Sequence, residues 1–317
     1  MKRFLGRMIL IALASSVLGC SAVSTNPTPP GPAHTLYVTN FAGAGQLATF
    51  GLPLNGGSTP LGVFSPAGMH SVVGLTFDSA GNLWAVNDTT TSAAVTGYTL
   101  PITATSTPFA SINIPSPKNP LGIAFDPSGN MWVADAGADK IYKFVGPFSG
   151  TMTPVPAVTI SSVLAPSGML FDGAGNLYVC KAIFGAGAVE IFTPPIMTGN
   201  SPTASPLTGS SQPTGIAFDA AGNLYAVNVN DGSIDRFNAP TAGGGPISIH
   251  AGGTATVITT GVVLAFDSAG NLYATNLQNP LLYLFPNAAT TFSSTPVPTI
   301  VTVGAFGVGS TAGLAIK

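Results

Sequence analysis

Phe77-Asp78-Ser79-Ala80-Gly81-Asn82-Leu83-Trp84-Ala85-Val86-Asn87 has four further copies in this chain, beginning at Phe125, Phe171, Phe218 and Phe266, at intervals of 48, 46, 47 and 48 residues. A fixed period of this size means a unit that cannot bury its apolar face alone and must stack on copies of itself, as in a propeller or a solenoid. Each copy reads as an apolar run, an Asp-x-x-Gly-Asn spacer and a second apolar run. Both runs are short and rich in β-branched and aromatic residues, so they read as strands. The spacer reads as a tight hairpin built on a type I turn with a glycine bulge. The Gly takes positive φ at little cost, and the Asp accepts a hydrogen bond from the backbone two residues on. An acidic residue beside Gly-Asn also raises calcium, but a calcium loop needs several oxygen ligands at alternate positions and these loops carry one carboxylate each.

A third strand follows at a constant offset and ends on an aromatic every time, at Phe50, Tyr98, Phe144, Phe192, Phe237 and Phe285. A fourth falls at Pro108–Ile114 in one unit and Val155–Ile160 in the next, among prolines and serines that mark exposed edges. Four strands in one period make a propeller blade. The expectation is an all-β chain. The column Tyr37, Trp84, Trp132, Tyr178, Tyr225, Tyr273 is then the layer between blades, a core feature and not a stacking platform for bases.

The first repeat is incomplete. Leu36-Tyr37-Val38-Thr39-Asn40 matches the second strand of the unit, with no Phe-Asp-x-x-Gly hairpin before it, while Ala312-Gly313-Leu314-Ala315-Ile316 at the other end matches the first strand. The C-terminal strand is therefore expected to pair with the N-terminal strand and close the ring, leaving no open sheet between first and last units. Second strands at Leu36, Leu83, Met131, Leu177, Leu224 and Leu272 count six blades, so the expectation is a six-bladed β-propeller of four-stranded blades over residues 34–317.

Residues 1–19 read as a leader. Lys2, Arg3 and Arg7 precede an apolar run from Met8 to Leu18 that is too short to span a bilayer. Val17-Leu18-Gly19-Cys20 resembles a bacterial lipobox, which implies a lipidated Cys20, a membrane as partner and a place in the cell envelope, the alternative being a plain secretory signal with an incidental Cys; Ser21 after it points to the outer membrane. Residues 20–33 carry Pro27, Pro29, Pro30 and Pro32 among Ser, Thr and Asn and read as an extended tether. If Cys20 is acylated, Cys180 is left without a partner and reads as a small buried residue.

Only 6% of residues are charged and the formal net charge is −2, against roughly 25% charged residues in ordinary soluble domains. Nucleic acid is excluded as a partner, because phosphate neutralisation needs clustered Lys and Arg. The surface must instead be Thr, Ser, Asn, Gly and Pro, which suits hydrogen-bonded recognition of an uncharged protein or glycan.

Pro120-Leu121-Gly122-Ile123-Ala124-Phe125-Asp126 through Ala134-Asp135, followed by Lys140-Ile141-Tyr142-Lys143-Phe144, resembles the NHL-type repeat of six-bladed propellers, and the resemblance covers nearly all of the chain after the tether. It implies architecture more than activity, since this fold carries lactonases, lyases and binding domains. Two departures stand out: Val263 where other blades have Gly, and Cys180-Lys181 closing a second strand. In propellers of this type the loops after the second strand and between blades gather at one mouth of the central channel. Asn40, Asn87, Asp135, Lys181, Asn228 and Asn276 then ring that mouth, either serving their local turns or meeting a ligand, with Asp135 and Lys181 in adjacent blades placed for an ion pair. His70, Lys118, Asn119 and Gln212 join them from the blade-linking loops. Resemblance to gluconolactonases implies a divalent metal held by Glu, Asp and Asn, with Asn87, Asp135, Asn228 and Asn276 as partial candidates; the one Glu, Glu190, lies mid-strand, away from the mouth. Resemblance to streptogramin lyases implies a His with an acidic neighbour, and His70 has none in sequence. No catalytic set, resident metal or cofactor is called for, and the reading favoured is an envelope-anchored binding module.

Overall fold

The computed structural model describes residues 34–41, 45–87, 93–203, 206–238, 240, 247–250, 261–291, 298–303 and 311–317. The leader, the tether and Cys20 lie outside the described residues. Six sheets, antiparallel but for one added strand, stand around an axis. Blade one takes β1 (Thr35–Asn40), β2 (Leu47–Gly51) and β3 (Gly62–Phe64). Blade two has β4 (Val72–Phe77), β5 (Leu83–Asn87), β6 (Ala94–Tyr98) and β7 (Ala110–Asn113). Blade three has β8 (Pro120–Phe125), β9 (Met131–Asp135), β10 (Lys140–Phe144) and, after a detour through β11 (Gly150–Met152), β12 (Val158–Ile160). Blade four runs β13 (Pro166–Phe171), β14 (Leu177–Lys181), β15 (Ala188–Phe192), β16 (Leu207–Thr208); blade five β17 (Pro213–Phe218), β18 (Leu224–Asn228), β19 (Ser233–Phe237), β20 (Ile247–His250). Blade six has β21 (Gly261–Phe266), β22 (Leu272–Asn276), β23 (Leu281–Phe285), a short α1 (Ala288–Thr291) and β24 (Thr299–Thr302).

The last strand, β25 (Thr311–Ile316), is the innermost strand of blade one. It pairs antiparallel with β1, Leu36 opposite Ile316 and Val38 opposite Leu314, so the two ends of the chain share a sheet. The inner strands touch in the order β25, β4, β8, β13, β17, β21 and back to β25. Blade two departs from the four-stranded expectation: β11, on the way to blade three's outer edge, adds a fifth strand parallel to β7. The outer edge of blade two is thereby tied to the chain of blade three, covering an edge that would otherwise stay open.

The repeat's consensus has a physical reason in every blade with an intact hairpin. Gly81 sits at φ 83° and donates to Asp78 O, and Asp78 N donates to Asn82 O, the bulged turn expected from the spacing. The carboxylate then accepts from the Asn side chain four residues on and from the aromatic six residues on: Trp84 Nε1 at 2.9 Å in blade two, Trp132 Nε1 at 3.1 Å, Tyr178 OH at 3.2 Å, Tyr225 OH at 3.3 Å and Tyr273 OH at 2.9 Å in the blades that follow. These aromatics reach the next blade's strand-one Phe, as in Trp84 on Phe125 and Tyr178 on Phe218, at centroid distances of 5.7 and 5.1 Å. At the closure blade one supplies Ile316 in place of that Phe, packed on the cluster that holds Tyr273.

Inner strands approach each other at a glycine in blades one to four, Gly313, Gly74, Gly122 and Gly168. A Cβ on Gly122 would overlap the carbonyl oxygen of Ser167, and one on Gly74 would come within 2.6 Å of Leu121 O, so no larger residue fits there without moving backbone. Val263 occupies this place in blade six, where its N–H donates to Thr275 Oγ1, which donates in turn to Ala312 O of the next inner strand. Thr39 makes the matching bridge between Gly313 N and Val72 O. The two blades flanking the closure therefore carry threonine where β9, β14 and β18 have Ala134, Cys180 and Val227.

Candidate functional site

Five of the six residues that close the second strands serve the fold's own turns and linking loops. Asn87 Oδ1 accepts from His70 N at 2.9 Å, and its amide donates to Ala94 O and Thr96 Oγ1. Asp135 accepts from Lys118 N, Asn119 N and Ala138 N at 2.9–3.1 Å. Asn228 accepts from Gln212 N at 3.1 Å and donates to Ser233 Oγ and Asp235 Oδ2. Asn276 accepts from Gln278 N and donates to Tyr283 OH, and Asn40 exchanges two bonds with Gln46. The five Asn and Asp side chains are buried, none more than 3% exposed. In blades two, three and five the residue reaches back about one strand and a loop to clamp the segment that enters its own blade. Buried backbone donors need such acceptors.

Blade four solves the same problem with different residues. Lys181 forms an ion pair with Glu190 at 3.3 Å, and not with Asp135. Glu190, expected away from this end of the blade, is 7% exposed and reaches Lys181 across the β14–β15 pairing. With no acceptor at position 181, the Ala165 N–H is taken by Asp139 of blade three at 2.7 Å, from a residue held at φ 52°. Lys181 and Glu190 occupy the places that Asn228 and Asp235 fill in blade five, and Asn87 and Thr96 in blade two. One neutral or half-charged pair has been replaced by a full ion pair.

A cavity of about 420 Å³ fills the centre of the ring. Its wall is aliphatic, with Leu75, Leu121, Ile123, Met169, Ile216 and Leu314 from the inner strands, broken by Thr76, Asn119, Ser167 and Thr214. Phe41 and Leu277 also line it. Each stands one residue past the predicted column, so the side chains offered to the channel follow Asn40 and Asn276 and are apolar. Among the described residues the channel wall below that mouth is largely hydrocarbon, with Asn119 its one side-chain amide.

Of the linking-loop candidates, Asn119 lines this channel, while Lys118 is exposed and lines a different cavity. The Gln212 amide donates to Ala182 O across the blade boundary at 3.2 Å. His70 is exposed, its backbone held by Asn87. Cys180 is fully buried, and burial pushes its thiol pKa far above the ordinary value, which removes the thiolate a nucleophile needs. The residues do not fit the divalent metal that a gluconolactonase resemblance implies. The oxygens of Asn87, Asp135, Asn228 and Asn276 already accept backbone N–H groups inside their turns, and Glu190 is held by Lys181. Among the described residues no three His, Cys, Asp or Glu side chains are grouped to hold a metal ion.

No family model and no curated protein matches the chain. Solved structures match it as a fold. A chain of the nidogen–laminin complex aligns with a TM-score of 0.63 at 16% identity, over 89% of this chain and 98% of that one. A protein of unknown function from Bacteroides caccae aligns at 0.62 and 14%, over 90% and 98%. A gluconolactonase from Xanthomonas campestris aligns at 0.52 and 13%, over 86% and 83%. The protein is a six-bladed β-propeller. Its structural neighbours include both binding and enzymatic propellers, and at these identities the likeness is one of fold.

Proposed function

We propose that this chain is an NHL-like propeller, exported and held in the cell envelope by lipid on Cys20, that works as a binding module for a protein segment or a neutral glycan at the channel mouth. The observation that carries the reading is the commitment of the polar column. The Asn and Asp side chains that an enzyme of this fold would turn toward a substrate or a metal are buried and clamp backbone in their own blades. Among the described residues the channel offers a ligand shape and apolar surface, Phe41 and Leu277 beside Asn119. The low charge of the chain favours an uncharged partner over an ionic one, because a charge moved against that apolar wall would meet a far higher desolvation cost.

The test uses the full chain. It is screened on an array of neutral glycans and envelope proteins, and assayed in parallel for hydrolysis of lactones and esters with and without calcium. Binding that is lost on Phe41→Ala, with no metal-dependent turnover, is the expected outcome. Calcium-stimulated turnover at ordinary enzymatic rates, or a clear rise in melting temperature with calcium, would defeat the proposal. Membrane release of a Cys20→Ser variant is expected if the anchor is real, and retention of that variant would remove the anchor from the reading.

A further inference from the structure

The chain has nine Lys and Arg, of which Lys2, Arg3 and Arg7 precede the described residues. Among the six others, Lys143 pairs with Asp126 at 3.1 Å, Lys181 with Glu190, Lys317 donates to Gly81 O, and Arg236 lies over the ring of Tyr225. Lys118 and Lys140 remain, and among the described residues neither has an acidic partner within ion-pair distance. These two line a single cavity of about 450 Å³.

The cavity lies on the seam between blades two and three, away from the channel. Pro115, Ser116 and Lys118 come from the segment leaving β7, and Lys140 and Tyr142 from alternate positions of β10, hence one face of it. Thr159, opposite Tyr142 in the ladder, lines it together with Pro156. Tyr142 also packs against Trp84, Ile112 and Ile114 of blade two. Burial first, and the Asp135 charge second, hold the Tyr142 phenol above its ordinary pKa, so it stays an O–H donor at neutral pH. Two carboxylates lie on neighbouring segments, and both are already used: Asp135 on three backbone N–H groups and Asp139 on Ala165 N. Neither lines the cavity.

The walls are fixed before any ligand arrives. Lys118 N is bonded to Asp135, and a Cβ on Gly137 would stand 2.8 Å from the Cβ of Lys118, so the turn and the lysine backbone are in contact. The seam itself is stapled by β11 on β7, by Asn113 Nδ2 to Thr153 Oγ1 at 2.9 Å, and by Trp84 among Phe109, Phe125 and Phe148. Preorganised walls reduce the ordering cost of binding.

We propose that this seam cavity binds a sugar carrying an oxyanion, a carboxylate or a phosphate, with Lys118 and Lys140 on the charge and Pro115 and Pro156 on the ring. The volume lies within the small-molecule range and far exceeds that of a bare anion. Two ammonium groups and a neutral phenol donate without accepting from the anion. The half-buried surfaces of Pro115 and Pro156 offer flat apolar contact for the C–H face of a pyranose, while Tyr142, 4% exposed, presents only its edge at the cavity wall. This site is separate from the channel mouth and stands whether or not that mouth binds anything.

The experiment is isothermal titration of the full chain with digalacturonate, glucose 6-phosphate, glucose and inorganic phosphate. Saturable binding of at least one anionic sugar is expected, with glucose and inorganic phosphate each tenfold or more weaker. Lys118→Gln and Lys140→Gln should each weaken the anionic sugar about tenfold, and raising salt from 50 to 300 mM should weaken it several-fold. Both lysines are exposed, so these variants should melt with the parent protein. Failure of both anionic sugars, phosphate binding as tight as that of the phosphosugar, or undiminished affinity in the double variant would each overturn the proposal. Preference between digalacturonate and glucose 6-phosphate then identifies the carboxylate or the phosphate source.

Discussion

Replacing Lys181 by Ala should cost about 2–3 kcal/mol of folding stability. The range is bracketed from two sides: exposed ion pairs contribute up to about 1 kcal/mol, and stripping one partner from a fully buried pair costs about 3–5 kcal/mol. The Lys181 and Glu190 side chains are 26% and 9% exposed, so the pair lies nearer the buried limit. The variant leaves Glu190 charged among blade-four residues that offer no other cation. The same register carries Asn228 and Asp235 in blade five, bonded at 2.7 Å. Combining Lys181→Asn with Glu190→Asp should therefore rebuild that pair in blade four and lose less than about 1 kcal/mol, well short of the sum of the single changes. Urea denaturation of the full chain, followed by tryptophan fluorescence from Trp84 and Trp132, gives both numbers; the melting temperature should fall by about 4–6 °C for Lys181→Ala. If that variant lies within about 0.5 kcal/mol of the parent, or the double variant is no better than the alanine, the pair is not the clamp of blade four.

Gly122→Ala should cost about 3 kcal/mol, because its Cβ would meet the Ser167 carbonyl of the next inner strand; Gly173→Ala, which meets nothing within 4 Å, should stay within about 0.5 kcal/mol, and equal losses by denaturation would remove the close-approach argument. The Asp78 and Asp126 carboxyls should make acid the weak side of the protein. Burial pushes both up, but their Trp and Asn donors, with Lys143 at Asp126, hold them below the ordinary carboxylate value. Their contribution is then complete above the unfolded value of about 3.9 and is lost as pH falls through the lower folded values. A urea midpoint that drops below about pH 4 in the parent and drops less in Asp126→Asn is expected, and identical pH profiles would contradict it. Ending the chain at residue 310 removes β25, the innermost strand of blade one, and should abolish cooperative unfolding; a truncated protein with an unchanged melt would refute closure by the chain ends.

The ring was legible because everything that makes it is local. Asp78, Gly81, Asn82 and Trp84 specify a turn and a blade contact within seven residues, and the same Asp, Gly and Asn return at each period with Trp or Tyr in the last place. Closure was legible because Leu314 and Ile316 repeat a pattern that Leu36 lacks before it. The candidate site was not, because its logic runs across loops. Nothing adjacent to Asn87 announces that its oxygen is taken by the N–H of His70, or that Asp139 will serve Ala165 in place of position 181. Phe41 and Leu277 line the channel one residue past the column for a related reason: a polar residue ending a strand looks exposed until the partner that buries it is known. The sequence does carry one signal of the blade-four pair. Each second-strand terminus from blade two onward has a side chain facing it on the third strand, seven or nine residues on: Thr96, Tyr142, Glu190, Asp235, Tyr283. The only Lys in the column stands nine residues before the only Glu in the chain. A chain this poor in charge does not place its one glutamate there without a partner in reach, and a buried carboxylate of that kind requires the cation. Read together, those two residues point to the blade-four ion pair, whereas Lys140 as partner to Lys118 is visible only once blades two and three are brought side by side.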